Sequence, residues 1–266
     1  MGTKLGFIGC GNMAKAMIGG IVSSGILPAS EVYASNRSEG ALAAAKEKWG
    51  IKTTRDNTVI AAECEVVVLA VKPQFYEEVI AQIVPFVRSE TIVVTIAPGF
   101  TLQKLTEMFG KPTKLVRTMP NTPAMVCEGM TAVCKGELVT EEELQFVLSL
   151  LRGFGKAELI EEYMMEAVVA VSGSSPAYIY MMIEAMADAA VLQGLPREKA
   201  YQFAAQAVYG SAKMVLETGL HPGALKDMVC SPRGTTIEAV RVLEKKGLRS
   251  SVMEAMTACA EKARNM

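Results

Sequence analysis

The 266-residue chain predicts an α/β protein with an N-terminal parallel-sheet domain, residues 1–161, and an all-α helical domain, residues 162–266. Three features point there. Through the first 160 or so residues, short apolar runs alternate with longer stretches of helical periodicity, which implies a parallel sheet covered on both faces. Past Gly153-Phe154-Gly155-Lys156 the strand-like runs stop, and Gly-Pro signals punctuate helix after helix. A turn of small residues, Gly9-Cys10-Gly11-Asn12-Met13-Ala14, joins the first strand directly to the first helix.

In chain order, strands are expected at 5–8, 32–34, 66–71, 91–96 and 114–117, each an apolar run of strand length. Between the first two, Met13, Met17, Ile18, Ile21 and Val22 recur at helical spacing and read as core. In the second domain Gly194-Leu195-Pro196 closes one helix and opens another that runs to about Thr218. His221-Pro222-Gly223 and Ser231-Pro232-Arg233-Gly234 mark two further turns. The helices there carry Ala, Met, Val and Tyr around much of their circumference, as in Tyr178-Ile179-Tyr180-Met181-Met182-Ile183. A helix apolar on more than one side needs a second cover, so this domain is expected to bury a face against another subunit.

Charge and composition exclude several classes. With 27 basic and 28 acidic residues the chain has no global field for nucleic acid or an anionic membrane. Six scattered cysteines without a Cys-x-x-Cys pair, and His221 as the only histidine, argue against a zinc site and for free thiols in a reducing compartment. The charge-free stretch 167–183 is shorter than the ~20 residues a bilayer span needs and is interrupted by Ser172-Gly173-Ser174-Ser175-Pro176. Met1-Gly2 opens like an acylation signal, but Gly6 stands where that motif takes Ser or Thr. The first strand starts almost at once, leaving no room for a cleavable leader, so the expected location is cytoplasmic.

The spacing Gly9-x-Gly11-x-x-Ala14 between strand and helix is the Rossmann-type dinucleotide fingerprint. Gly9 permits the tight turn, Gly11 lets backbone N–H groups approach a pyrophosphate, and Ala14 allows close helix-strand packing. The second strand ends in Ala34-Ser35-Asn36-Arg37-Ser38, neutral donors and a cation where NAD sites place an acid. These residues favour the 2′-phosphate of NADPH, with NADH still possible because Glu39 is near. Ala70-Val71-Lys72-Pro73, Thr95-Ile96-Ala97-Pro98-Gly99 and Arg117-Thr118-Met119-Pro120-Asn121-Thr122-Pro123 follow other strand ends, where open α/β sheets bind ligands.

Near the end of the chain, Ser231-Pro232-Arg233-Gly234-Thr235-Thr236-Ile237-Glu238 has two readings. The spacing Thr235-x-x-Glu238 is that of a capping box, which makes the segment an ordinary helix start. Alternatively, the free N–H groups of Gly234, Thr235 and Thr236 form an anion site, with a threonine hydroxyl placed for a neighbouring heteroatom.

Taken together, Gly9 to Ala14, Ala70-Val71-Lys72-Pro73, Arg117 to Pro123, Ser172 to Tyr178, His221-Pro222-Gly223 and the late turn resemble the pyrroline-5-carboxylate reductases along essentially the whole chain. That resemblance implies NADPH-dependent reduction of a cyclic imine, 1-pyrroline-5-carboxylate, to L-proline, and a helical domain that interlocks with a partner in homodimers often gathered into a ring. It implies that Ile8, Gly9, Cys10, Gly11, Asn12 and Met13 hold the cofactor with Ser35, Asn36 and Arg37. Asn57 would contact the adenosine, and Ala70, Val71, Lys72, Pro73 and Ala97 would flank the nicotinamide side. Thr236 would hydrogen-bond the substrate ring nitrogen, Gly234 and Thr235 would take its carboxylate, and Val229 and Ser231 would line the pocket. Two residues depart from the pattern. Arg233 replaces a usual glycine, so the turn is made without positive φ or with strain, and Pro98 removes a backbone donor beside the cofactor.

Two other functions compete. A β-hydroxyacid dehydrogenase shares the domain plan, but its helix with a catalytic lysine and an asparagine has no counterpart over 176–193. A non-catalytic NADP-sensing protein would have no use for a second anion site.

Overall fold

The computed structural model describes residues 3–265, so the Met1-Gly2 pair and Met266 lie outside it. The chain divides into two compact units. One runs through Ser174 and takes back the chain from Cys259; the other is Ser175–Ala258.

The first unit carries the sheet. In chain order it contains β1 (Leu5–Ile8), α1 (Asn12–Ser23), β2 (Val32–Ser35), α2 (Glu39–Trp49), β3 (Lys52–Thr54), α3 (Asn57–Glu63), β4 (Val66–Leu69) and α4 (Tyr76–Ile83). It continues with β5 (Ile92–Thr95), α5 (Leu102–Phe109), β6 (Lys114–Met119), β7 (Gly129–Lys135), α6 (Glu141–Arg152), β8 (Gly155–Leu159) and the short α7 (Met165–Val168). Strand order is β3-β2-β1-β4-β5-β6-β7-β8, with β3 and β8 at the edges. Every pairing is parallel except β6 with β7. The expected parallel-sheet domain followed by helices is what the chain forms.

Alternation along the strands explains the two-sided burial. Leu5, Phe7, Val66, Val68, Ile92 and Val94 pack on one face with Met17, Ile18 and Ile21 of α1 and Leu148 of α6. Ile8, Val67, Leu69 and Val93 pack on the other with Ile60, Val79, Ile80 and Leu105 from α3, α4 and α5. Each fully buried side chain of this size stabilises the fold by roughly 1.5–3 kcal/mol. Met13 and Val22 are only partly buried at the margin of the first cluster.

Two expected strands are shorter than their apolar runs. β4 and β5 stop at Leu69 and Thr95 because the chain must turn toward Pro73 and Pro98, and proline cannot donate to the ladder. β3, β7 and β8 were not expected: Lys52-Thr53-Thr54 is short and polar, and β8 has a single buried residue, Ala157. Within β6, which runs two residues past the expected end to Met119, Arg117 is 3% exposed and ion-paired with Glu162 at 2.8 Å and Glu166 at 3.4 Å. Glu162 also accepts from the Leu102 N–H that begins α5. A π-turn, Val169–Gly173, follows α7, with the Ser174 N–H donating to the Val169 carbonyl at 2.8 Å.

The second unit contains α8 (Ser175–Leu192), α9 (Arg197–Thr218), α10 (Pro222–Val229), α11 (Thr235–Lys245) and the start of α12 (Leu248–Arg264). Ala187, Ala200 and Ala204 are buried, small residues that let α8 and α9 approach closely, while Met181, Phe203 and Leu216 lie outward. Among the described residues no helix is long and apolar enough to cross a membrane.

Candidate active site

The order in which successive strands are laid down reverses between β1 and β4, which run parallel, and an open α/β sheet binds its ligand beyond the strand ends at such a point. Backbone bonds fasten the loops there: Gly9 N–H donates to Ser35 O at 2.9 Å and Ala70 N–H to Ile8 O at 2.8 Å. Gly9 has φ +100°, and a Cβ on it would lie 2.6 Å from the Ala70 carbonyl oxygen, so no larger residue fits. A Cβ on Gly11 would meet nothing within 4 Å. Gly11 is also the N-cap of α1, which no side chain caps, so the N–H groups of the first turn at Asn12 and Met13 are left for an anion. Ala14 is buried against the sheet. A cradle that excludes a side chain below and leaves space above fits a pyrophosphate.

At the end of β2 the three candidate donors part company. The Ser35 hydroxyl is fully buried and turned inward, donating to the Asn57 Oδ1 at 2.7 Å, with the Phe7 carbonyl at 3.4 Å. Asn57 in turn donates to Gln82 at 2.9 Å. Asn36 is half-buried and Arg37 exposed. Arg37 lies over the Phe75 ring, 4.9 Å from its centroid, and pairs with Glu78 at 2.6 Å. The nearby Glu39 is engaged by Arg55 at 2.9 Å.

The loops after β4 and β5 share a floor that sequence reasoning missed. Tyr76 is fully buried, donates to the Leu69 carbonyl at 2.8 Å and stacks on Phe100 at 4.3 Å. Burial pushes its phenol well above the usual range, against hydrogen bonds from the backbone of Ile96 and Ala97, so it is a neutral brace. Above it, Lys72 is exposed, Val71 and Pro73 are half-buried, and Ala97 is buried. Asn121 is a second brace: its amide donates to Ser172 O at 3.0 Å and its carbonyl accepts from Met130 N–H at 2.9 Å. The signal for Asn121 was its place in the Met119-Pro120-Asn121-Thr122-Pro123 segment; for Tyr76 there was none.

The late turn lies in the helical unit. Gly234 N–H donates to Ser231 O at 3.0 Å, closing a four-residue turn with Pro232 and Arg233 at its centre. Arg233 has φ +58°, so the turn is made with strain. The capping box is not formed. α11 begins at Thr235 with Gly234 as N-cap and no side-chain cap, and the Glu238 carboxylate is held by Arg241 at 2.5 Å. The helix starts one residue earlier than the spacing required, which leaves its first N–H groups uncapped. Thr236 and Gly234 are half-buried, and Val229, Ser231 and Thr235 are exposed. His221 caps α10, its Nδ1 accepting from Gly223 N–H at 3.0 Å.

All six cysteines are free. Burial raises the thiol of Cys10, raises Cys134 to about 11 and raises Cys64 to about 12, so none of these three is a thiolate at neutral pH.

Residues 162–266 match the family model described as pyrroline-5-carboxylate reductase dimerisation, and residues 4–99 match that of NADP oxidoreductase, coenzyme F420-dependent. The chain is 53% identical over 266 residues to the pyrroline-5-carboxylate reductase of Escherichia coli strain K12, covering 100% of this chain and 99% of that one. The chain belongs to the pyrroline-5-carboxylate reductase family. A solved reductase structure from Coxiella burnetii superposes with a TM-score of 0.92 at 36% identity, covering 99% of this chain and 98% of that one. The pyrroline carboxylate reductase of Plasmodium falciparum, solved with NADP bound, gives 0.90 at 32% identity, covering 99% and 97%. As a member of this family the chain is an NADP-dependent oxidoreductase, and its C-terminal part is a dimerisation region.

Proposed function

We propose that the chain reduces 1-pyrroline-5-carboxylate to L-proline with NADPH, the last step of proline biosynthesis. The observation that carries this reading is the end-to-end 53% identity with a reductase of that name. The nicotinamide supplies a hydride to the imine carbon. The first-turn N–H groups of α1 hold the pyrophosphate, with Ile8, Gly9, Cys10 and Gly11 shaping the turn. Asn36 and Arg37 take the 2′-phosphate, while Ser35 and Asn57 hold the end of β2 and the adenosine side. Ala70, Val71, Lys72, Pro73 and Ala97 border the nicotinamide.

In the helical unit, the N–H groups of Gly234 and Thr235 take the substrate carboxylate at the uncapped start of α11, beside Ser231 and Val229. The Thr236 hydroxyl hydrogen-bonds the ring nitrogen. A protonated imine is already electrophilic, so positioning and polarisation suffice, and no histidine is needed. In this reading residues 1–161 form the nucleotide domain and 162–266 the substrate and dimerisation domain. The enzyme works in the cytoplasm as a homodimer that assembles further into a ring.

The test follows NADPH absorbance with and without pyrroline-5-carboxylate, then NADP with a simple 3-hydroxy acid. Consumption only with the imine is expected; oxidation of the hydroxy acid, or no turnover at all, would sink the reading. Thr236→Ala should lower kcat about 100-fold, as loss of a positioned donor does, with NADPH affinity unchanged. Wild-type turnover in that variant would remove Thr236 from its role.

A further inference from the structure

We propose that Glu78 limits the preference for a phosphorylated over a plain adenosine ribose by competing with the 2′-phosphate for Arg37. The inference rests on the cofactor placement proposed above. Arg37 is held on two sides, its guanidinium over the Phe75 ring at 4.9 Å and its Nη2 bonded to Glu78 Oε1 at 2.6 Å. Both charged side chains are about two-thirds exposed, so the pair is open to exchange with a dissolved anion. Two other carboxylates close in sequence to this pair play no such part. Glu39, two residues along the chain, is paired with Arg55, and among the described residues Arg37 has its ion pair with Glu78 and not with Glu77, its neighbour in the first turn of α4.

An arriving 2′-phosphate therefore meets a cation already partnered by an anion. It must share or displace Glu78, and it is repelled by that carboxylate while it does so. A 2′-hydroxyl carries no charge and is nearly indifferent to the same group. Phe75 and Glu78 together also hold Arg37 in one place, so the residue that weakens phosphate binding helps to pre-position its ligand. Replacing the carboxylate by an amide separates the two effects. Glu78→Gln keeps an oxygen acceptor for the guanidinium and removes only the charge.

The experiment is calorimetric titration of the full chain with adenosine 2′,5′-bisphosphate and with 5′-AMP, for wild type, E78Q, R37A and the double variant. E78Q should tighten the bisphosphate roughly three- to tenfold, the scale of one removed like charge near a phosphate at a wet surface. Binding of 5′-AMP should change by less than about twofold, since the uncharged ribose interacts with Glu78 only weakly. The gain should shrink in about 0.5 M salt and vanish on the R37A background. Equal effects on both nucleotides, no effect on either, or a gain that survives R37A would overturn the proposal. A wild type that binds both nucleotides alike would instead remove the 2′-phosphate from Arg37. Neither outcome depends on whether the imine is the substrate.

Discussion

In the sheet-bearing unit two apolar clusters close around the strands, and Phe7, Ile18, Tyr76 and Phe154 are fully buried; in the helical unit Met181, Phe203 and Leu216 are each about 70% exposed. The first unit completes its own core with two layers of helix. In α8 and α9 of the second only alanines are buried, and large residues are left exposed. The match of 162–266 to a dimerisation family accounts for the difference. The sheet unit buries its own core, whereas the helical unit lies in a dimerisation region and leaves large apolar side chains exposed.

That contrast can be broken experimentally. The largest effect is expected from Met181→Glu combined with Phe203→Glu, which places charge on the outward helix faces. Light scattering should then report the monomer mass, and the helical unit should melt first, because each buried side chain of this kind contributes roughly 1.5–3 kcal/mol. An unchanged mass would show that these faces do not associate. Gly9→Ala strikes the other unit. Its Cβ would press on the Ala70 carbonyl at a φ of +100°, so a loss of about 2–4 kcal/mol is expected. Nucleotide binding should go with it, and the assembly mass should remain.

Alkaline pH discriminates the units without mutation in the site. Cys64 has its folded-state pKa raised from 9.0 to about 12 by burial. The stability it provides is complete below pH 9 and falls as pH rises toward 12, by about 1.4 kcal/mol per pH unit, since the unfolded thiol ionises first. The slope of unfolding free energy against pH should flatten by about one proton in Cys64→Ala; an identical slope would clear this thiol. The smallest effect concerns the strained turn. Arg233→Gly should raise the stability of the helical unit by about 1 kcal/mol by relieving positive φ, and should raise KM for the imine acid because it removes a cation next in sequence to Gly234 and Thr235, which are proposed to hold the carboxylate. A lower melting temperature would show that the arginine side chain offsets its own strain.

Where burial is two-sided, the fold was legible in the residues. β4, Val-Val-Val-Leu, and β5, Ile-Val-Val-Thr, are buried at every residue because helices cover both faces. β3 and β8 lie at edges, bury at most one side chain each, and so carry no apolar run to read. The glycine turn after β1 was legible because only glycine tolerates Ala70 behind it. The capping box was misread because Ser/Thr-x-x-Glu spacing occurs at Thr140-Glu143, where the box does form, and at Thr235-Glu238, where Arg241 takes the carboxylate. The inward turn of the Ser35 hydroxyl and the pairing of Arg37 with Glu78 depend on residues twenty or more positions away, which local spacing cannot reveal.

The two ends of the sheet have a consequence of their own. A bare strand edge is a template for another chain, and unprotected edges lead to fibrous aggregates. Here β3 is only three residues long and carries Lys52, while β8 sets Lys156 and Glu158 outward around one buried alanine. Both borders are thus closed to strand addition by brevity and charge. Copies of this chain that meet in a crowded cell are left with the helical faces as the productive way to join.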